Sequence, residues 1–173
     1  MSQSIAALVD KEAIRRLIFI YCRAVDRRDR PLGHSIWHAG ATADYGSFYR
    51  GPGPGVIDAI CVCHPYLVDP THQVGNVLIE LNGDRAASES YVTATMQMEQ
   101  GGEVLQIDTR ARYLDRWERR DQRWGLMHRE AITDSYTIQT VRHHGAFEAR
   151  AYAPPEDPSY RFLTSRVWGA PVA

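Results

Sequence analysis

The sequence predicts an α+β fold in which N-terminal helices lie against one face of a curved, mainly antiparallel sheet. Before Pro70, hydrophobic residues recur at helical spacing, whereas from Thr71 onward they alternate with the period of a β-strand. Turn-forming residues then divide this second part into long consecutive segments. Helices followed by a run of neighbouring strands are typical of α+β proteins.

The first helix is predicted over residues 11–30. Asp10 precedes it as a candidate N-cap, and Pro31 disfavours helix at the residue before it. The apolar stripe of this helix comprises Ile14, Leu17, Ile18, Tyr21 and Val25. At about 100° per residue, Asp26 falls on the border of the stripe, where its carboxylate can be partly shielded from water.

Two shorter helices are expected before the strands begin. One covers residues 32–38, and the other covers residues 56–68 and ends before Pro70. Between them, the glycines and prolines of residues 51–55 (GPGPG) indicate a turn or a flexible lid, without the lysine of a phosphate loop.

Four strands are predicted in the second part of the chain. Asn82-Gly83 and Gly101-Gly102 mark two of the hairpin turns, and residues 119–122 form the third. The predicted strands are residues 71–82, 86–98, 104–118 and 124–138. After Val141 the pattern weakens and prolines accumulate, as in a surface wrap or an arm exchanged with a neighbouring subunit.

Composition excludes several functional classes. The 173 residues carry 20 basic and 21 acidic side chains, so no net field favours nucleic acid or an anionic membrane as a partner. No apolar run reaches the ~20 residues that span a bilayer, and the N-terminus does not resemble a secretory signal. The three cysteines are an odd number that favours reduced thiols, and we therefore expect a cytoplasmic location.

Four stretches carry a resemblance to a known family. They are AIRRLIFIYCRAVDRRD (residues 13–29), DYGSFYRG (44–51), THQVGNVLIELNGDRAASESY (71–91) and RYLDRWERRDQRWGLMHR (112–129). In their order and spacing they resemble the SnoaL-like branch of the nuclear-transport-factor-2-like superfamily. The resemblance implies a cone-shaped barrel, with a strongly curved sheet wrapped round about three helices and a pocket at its wide end. It assigns residues 1–140 to this domain and leaves residues 141–173 as an extension packed on the domain or on a neighbouring subunit.

The resemblance also implies a catalytic pair. In the lindane dehydrochlorinase, scytalone dehydratase and bile-acid 7α-dehydratase branch, an Asp late in the first helix pairs with a His at the start of the first long strand. Asp26 and His72 occupy these positions. A neutral imidazole is a suitable base for a carbon-bound proton near pH 7, and a carboxylate on its other nitrogen fixes the tautomer.

Three further candidates follow from the same resemblance. Tyr21 and Tyr45 match tyrosines that polarise a substrate oxygen, and Arg129 matches an arginine near a leaving group. Each residue also has a structural interpretation. Tyr21 and Tyr45 fit a hydrophobic core, and His72 fits a strand start bonded to backbone. Asp26 fits a helix cap or an ion pair with a nearby arginine, and Arg129 fits a position that faces solvent or pairs with Asp134 or Glu130.

Other chemically suggestive patterns are weaker. Cys61-Val62-Cys63-His64 has ligand residue types, but neighbouring helical positions do not converge on one ion, so we expect neither a metal nor an organic cofactor. His143-His144 are expected to be solvated. The mixed charges of residues 115–120 predict a strand end that faces solvent.

The sequence therefore favours a cofactor-independent lyase acting on a small hydrophobic substrate, with His72 as base and Asp26 as its orienter. One alternative is an isomerase or cyclase that uses the same pocket, with Asp134 as acid–base. Another is a non-catalytic small subunit of an aromatic-ring dioxygenase, which would need a larger iron-containing partner. Self-association through the outer face of the sheet is expected, as a trimer first and a dimer second.

Overall fold

The computed structural model describes residues 4–63, 68–141 and 154–164, and it confirms the α+β prediction. In chain order the elements are α1 (Ile5–Asp26), α2 (Arg30–Ser35), β1 (Trp37–Asp44), β2 (Arg50–Pro52), α3 (Gly53–Cys63), β3 (Val68–Asn82), β4 (Arg85–Gln100), β5 (Glu103–Arg120), β6 (Arg123–Thr140) and α4 (Pro158–Thr164). Three helices thus precede the four long strands, as the sequence predicts.

The six strands form one sheet in the order β2-β1-β6-β5-β4-β3. Neighbouring strands are antiparallel except for β1 and β6, which are parallel. Gly83, Gly101 and Gly102 adopt positive φ in the hairpin turns, where a side chain would be strained. Register shifts in β3 and between β5 and β6 bend the strands, which gives the sheet the curvature of the cone.

The hydrophobic core fills the concave face of the sheet. α1 packs its apolar stripe there, and α3 adds Val56 and Ile57. Opposite the helices, the sheet contributes Val92, Tyr113, Trp117, Trp124 and Leu126. The side chains that α1 and these strands turn inward therefore determine the floor of any pocket.

The predicted N-cap of α1 is wrong. The helix begins at Ile5, and the hydroxyl of Ser4 accepts the N–H of Ala7. Asp10 lies one and a half turns inside the helix, where its carboxylate accepts hydrogen bonds from Arg119 and Trp124 at 2.9 and 2.8 Å. Asp10 thus connects α1 to the sheet, and the local sequence does not distinguish this role from helix capping.

The ends of the helices also differ from prediction. α1 stops at Asp26, because Arg28 turns the chain with a positive φ and Asp29 caps α2 through the N–H of Leu32. Pro31 therefore lies in the first turn of α2, where its missing N–H costs nothing. α2 ends at Ser35, earlier than predicted, and the following residues enter β1.

α3 starts inside the segment that the sequence assigns to a turn or lid. Gly53-Pro54-Gly55 form its first turn, since proline is tolerated there, while Gly51 and Pro52 pair with β1. The helix ends at Cys63 and Val68 already belongs to β3, so the predicted helix over residues 56–68 is wrong at its C-terminal end.

The charged run at residues 115–120 does not face solvent throughout. Asp115 and Trp117 are buried, and the indole N–H of Trp117 donates to Ser88 at 2.8 Å. Alternation along β5 places these two residues on the concave face, while Arg116 between them is exposed. The prediction of a solvent-facing strand end is therefore wrong for the inward-facing residues of the run.

The described part of the C-terminal extension lies against the end of α1. Arg27 pairs with Asp157 at 2.9 Å, Arg23 donates to Ser159 at 3.0 Å, and the hydroxyl of Tyr160 donates to Asp29 at 2.8 Å. Packing of the extension on a neighbouring subunit stays a prediction. Among the helices that the structure describes, none has the length and hydropathy needed to cross a bilayer.

Candidate active site

Asp26 and His72 lie in direct contact. Nδ1 of His72 is 2.6 Å from Oδ1 of Asp26, and the backbone N–H of His72 donates to Oδ2 at 3.2 Å. The last residue of α1 and the fifth residue of β3 meet here because α1 packs along the inner face of that strand. The side chains are only 13% and 10% exposed, respectively, so little water competes for the contact.

His72 engages both carboxylate oxygens of Asp26, and these two contacts fix the orientation of its imidazole ring. A proton on Nδ1 satisfies the short contact to the carboxylate and leaves the lone pair on Nε2. No residue in the described part of the chain forms a hydrogen bond with Nε2. The ring thus combines an oriented tautomer with a basic nitrogen that has no protein partner there.

His72 forms part of the wall of two cavities. One has a volume of about 220 Å³ and is mainly apolar, with Val25, Phe48, Ile60, Cys63, Pro70 and Met96 as its other lining residues. The second is a more polar cleft of about 370 Å³, lined also by Phe19, Cys22, Arg23, Asp26, Arg27 and Val74. An apolar cavity with one oriented base on its wall is the arrangement expected of a small-molecule site.

A second cluster lies deeper in the cone and includes the other predicted site residues. The hydroxyl oxygens of Tyr21 and Tyr45 are 2.7 Å apart. The ring of Tyr113 packs edge-to-face on Tyr21, with centroids 5.6 Å apart, and is tilted against Tyr45 at 6.5 Å. Tyr21 and Tyr113 are buried, whereas Tyr45 is half-buried.

Arg129 lies beneath these rings in a fully buried ion pair. Its Nε and Nη2 donate to the two carboxylate oxygens of Asp115 at 2.7 Å each, and both side chains are 0% exposed. The guanidinium carbon is 4.2 Å from the ring centroid of Tyr21 and 4.0 Å from that of Tyr113. Arg129 therefore does not face solvent, and its partner is neither Asp134 nor Glu130.

Asp134 is on the opposite face of the sheet. Its carboxylate is held by Arg112 at 2.9 Å, and Arg112 also pairs with Glu89 on the neighbouring strand. These contacts lower the pKa of Asp134, chiefly through the hydrogen bonds from Arg112. An acid–base residue on this face does not reach the pocket.

Burial and charge give the three tyrosines different acidities. Burial raises the pKa of Tyr21 and Tyr113 well above the ordinary value. Burial also raises the pKa of Tyr45, but the charge of Arg129 and the hydrogen bond from Tyr21 act in the opposite direction. Burial is the largest single effect and disfavours the charged form of Arg129. The charge and hydrogen bonds of Asp115, together with Tyr45 and Tyr21, outweigh it and keep the pKa of Arg129 well above its usual range.

Cys22 lies between the two clusters on α1. Burial raises the pKa of its thiol to about 12, and Arg129, Asp26 and Asp115 all act on it electrostatically. The structure therefore brings Asp26 together with His72, and it brings Tyr21 together with Tyr45 and Arg129. The two groups are separated by a little more than one turn of α1. Whether these five residues take part in catalysis stays a prediction.

Sequence reasoning missed Asp115 and Tyr113. A hairpin centred on Asp121-Gln122 predicts that His128 faces Asp115, but a register shift between Arg116 and Trp117 brings Arg129 opposite Asp115 instead. The signal that could have found the pair is the alternation of β5, which gives Tyr113, Asp115 and Trp117 one common face.

The weaker candidates for metal ligands lie partly outside the described residues. In the described residues, no three His, Cys, Asp or Glu side chains converge as metal ligands. Cys22, Cys61 and Cys63 are free thiols. His64, His143 and His144 lie outside the described residues.

The chain belongs to the SnoaL-like domain family, whose profile matches residues 6–130. This confirms the resemblance found in the sequence. No functionally curated protein matches the chain.

Solved structures share the fold over most of the chain. A hexachlorocyclohexane dehydrochlorinase of type 2 has a TM-score of 0.73 at 21% identity, covering 83% of this chain and 97% of its own. A putative scytalone dehydratase from Novosphingobium aromaticivorans has a TM-score of 0.68 at 18% identity, covering 86% and 95%. A putative aromatic ring hydroxylase from the same organism has a TM-score of 0.67 at 18% identity, covering 78% and 94%. At these identities the likeness establishes the fold.

Proposed function

We propose that this protein is a cofactor-independent lyase that catalyses a dehydratase-type elimination. Its substrate is a small hydrophobic hydroxy-carbonyl compound, such as a steroid, terpenoid or polyketide intermediate. The observation that carries the proposal is the 2.6 Å contact between Nδ1 of His72 and Asp26 at the wall of an apolar cavity. An oriented imidazole in such a place is suited to removing a carbon-bound proton.

The reaction begins at Nε2 of His72. This nitrogen takes the proton from the carbon next to the carbonyl group, and the electron pair of the C–H bond moves to form an enolate. Asp26 stabilises the imidazolium through its short contact to Nδ1. The electron pair then forms the C=C bond as the C–O bond of the β-hydroxyl breaks, and the imidazolium returns its proton to the departing oxygen, so that one water is released.

Tyr45 is suited to bind the carbonyl oxygen while charge accumulates on it. Its side chain is half-buried, and its hydroxyl is already paired with Tyr21 at 2.7 Å. A positioned donor at a developing oxyanion contributes about 10²–10³ in rate. Arg129 has two of its three guanidinium nitrogens engaged by Asp115, which supports an action through the tyrosines.

The names of the structural neighbours support an elimination. One is named for a dehydrochlorination and another for a dehydration. Both are losses of a small molecule from adjacent carbons. The position of Asp134 on the outer face gives no support to a cyclase that would use it. Because a scaffold subunit has no need of a polar pair at the wall of an apolar cavity, Asp26 and His72 favour an enzyme over a non-catalytic subunit.

The proposal is tested by a mass-spectrometric screen of hydroxy-carbonyl steroids, terpenoids and polyketides. We expect the wild-type protein to remove one water from a member of the panel, and His72→Ala to lose this activity. Asp26→Asn is expected to lower kcat by about 10²–10⁴, because the carboxylate that orients the ring and stabilises its charge is lost. His34→Ala is the matched control, since His34 contacts Asp58 at 3.1 Å on the helical side of the domain and does not line either cavity.

Two results would contradict the proposal. Equal turnover by wild type and His72→Ala would remove the proposed base. A product of unchanged mass would replace the elimination by an isomerisation or a cyclisation in the same pocket.

A further inference from the structure

The ion pair between Asp115 and Arg129 is not explained by stability. Both side chains are fully removed from water. The desolvation of two charges costs several kcal/mol for each ion, and the attraction repays this cost only when the geometry is excellent. Well-packed hydrophobic residues at such positions are often as stabilising or more so. Arg129 lies against the ring of Tyr21, whose hydroxyl pairs with that of Tyr45, and this place suggests a different role.

Arg129 is fixed from three directions. Asp115 holds it from the neighbouring strand through two parallel hydrogen bonds, and the rings of Tyr21 and Tyr113 lie at 4.2 and 4.0 Å from its guanidinium carbon. Nη1 is buried and has no hydrogen-bond partner in the described part of the chain. The carboxylate of Asp115 thus engages one edge of the guanidinium, and the other edge of the guanidinium lies among the tyrosine rings.

The two hydroxyl groups next to this cation are not equivalent. Tyr21 is 1% exposed, and Tyr45 provides its one hydrogen-bond partner among the described residues. Tyr45 is half-buried, so part of its side chain reaches the surface of the protein. If Tyr21 donates its proton to the oxygen of Tyr45, the proton of Tyr45 stays available for an acceptor outside the pair.

We propose that Asp115 is a positioning residue that holds the charge of Arg129 behind the Tyr21–Tyr45 hydroxyl pair, so that Tyr45 acts as the hydrogen-bond donor to the substrate oxygen. Tyr113 belongs to the same device, because its ring lies against the guanidinium beside the ring of Tyr21. This inference deepens the proposed function and rests on it. It adds Asp115 and Tyr113 to the residues that act on the site.

The electrostatics of the cluster agree with this arrangement. Burial raises the pKa of Tyr45, but the charge of Arg129 lowers it, and this effect outranks the opposing effect of Asp115. Tyr45 is thereby kept a stronger acid than its buried neighbours, and a stronger acid is a better donor to an oxyanion. Neutralising the ion pair as a unit should therefore make Tyr45 a weaker acid.

The test is a pH titration of wild-type protein carrying tyrosine labelled with ¹³C at the ζ carbon. Signals are assigned by the single variants Tyr21→Phe, Tyr45→Phe and Tyr113→Phe. We expect Tyr45 to ionise before the other two phenols. If Tyr45 ionises after both of them, the proposal is overturned, and this measurement needs no change to the ion pair.

The paired variant Asp115→Asn/Arg129→Gln gives the second measurement. It removes both charges together, so no buried charge is left unpaired. We expect the titration of Tyr45 to move to higher pH, and an unchanged or lower midpoint contradicts the inference. Arg112→Gln/Asp134→Asn is the matched control, because it neutralises an ion pair between the same two strands on the outer face, and it should leave Tyr45 unchanged.

The titration reads Tyr45 without any substrate, so it separates this inference from the proposed lyase activity. Once a turnover substrate is found, a double-mutant cycle connects the two. The paired variant should lower kcat in the wild-type background by about tenfold or more, and should have little further effect in Tyr45→Phe. Equal losses in both backgrounds would assign the ion pair a purely structural role.

Discussion

At the scale of single residues, the environment of a carboxylate decides what it does. Asp115 and Asp134 come from neighbouring strands, and each accepts two hydrogen bonds or more from one arginine. The side chain of Asp115 is on the concave face and is 0% exposed, whereas that of Asp134 is on the outer face and is 41% exposed. The burial of Asp115 could not be predicted from its charged neighbours in sequence, because the face of a strand is decided by the packing of α1 on the sheet.

This difference predicts unequal costs of losing the arginine. Arg129→Met should destabilise the protein by about 3–5 kcal/mol, because Asp115 is left as an unpaired buried charge. Arg112→Met should cost no more than about 1 kcal/mol, since water screens the exposed partner. Urea denaturation followed by circular dichroism measures both.

The double variant Asp115→Asn/Arg129→Met provides the control for this comparison. It should recover most of the stability lost in Arg129→Met, because the remaining polar group carries no charge. A double variant as unstable as the single one would show that lost packing around the tyrosine rings dominates.

At the scale of elements, the hairpins were predictable and the first strand was not. β4, β5 and β6 lie within two residues of their predicted ends, because Asn82-Gly83 and Gly101-Gly102 supply the positive φ that tight turns need. β1 reads Trp-His-Ala-Gly-Ala-Thr-Ala-Asp, in which small residues weaken the alternation of a strand. Its partner β6 is also distant in sequence, so no local signal reports the pairing.

α4 was not predicted from the sequence, and its attachment to α1 can be tested. It is held to α1 by Arg23 and Arg27, which also line the polar cleft next to Asp26. We expect Asp157→Ala to weaken this attachment, because the carboxylate accepts from Arg27 and from the N–H of Ser159. Hydrogen–deuterium exchange in residues 157–164 should accelerate.

The exchange of β4 and β5 should stay unchanged in the same variant, since Arg27 and Ser159, which bind the carboxylate of Asp157, lie outside both strands. Faster exchange throughout the sheet would contradict a local role for this contact. Glu156→Ala is the matched control, because it removes a neighbouring carboxylate that is exposed and takes no part in the Arg27 pair.

At the scale of the whole molecule, the cone has two faces with different purposes. The concave face holds the core and both candidate clusters. The outer face carries exposed apolar side chains among its charges, with Leu78 62% exposed and Tyr91 46% exposed. The fold was predictable from the order and spacing of the motifs, whereas these motifs do not identify a surface for binding another copy.

We expect a homo-oligomer, most readily a trimer, assembled through this outer face. Light scattering coupled to size-exclusion chromatography measures its mass. Leu78→Glu should lower the mass toward that of a monomer, because a charge in a self-complementary interface is repeated in every copy. Ile5→Glu, at a residue 81% exposed on α1, is the control and should change nothing. A wild-type monomer would contradict the expectation.

The parallel pairing of β1 with β6 has a consequence for synthesis of the chain. Trp37 pairs with Leu126, and Asp44 pairs with Glu130. Contacts between such distant residues close a large loop and are among the slowest to form. While the chain emerges from the ribosome, β1 must therefore wait for this partner until β6 has been made, whereas α1 meets its main strand partner earlier, in β3. β1 is consequently among the parts most exposed to chaperones and proteases during synthesis, and the ion pair of Asp115 with Arg129 forms only when the last long strand arrives.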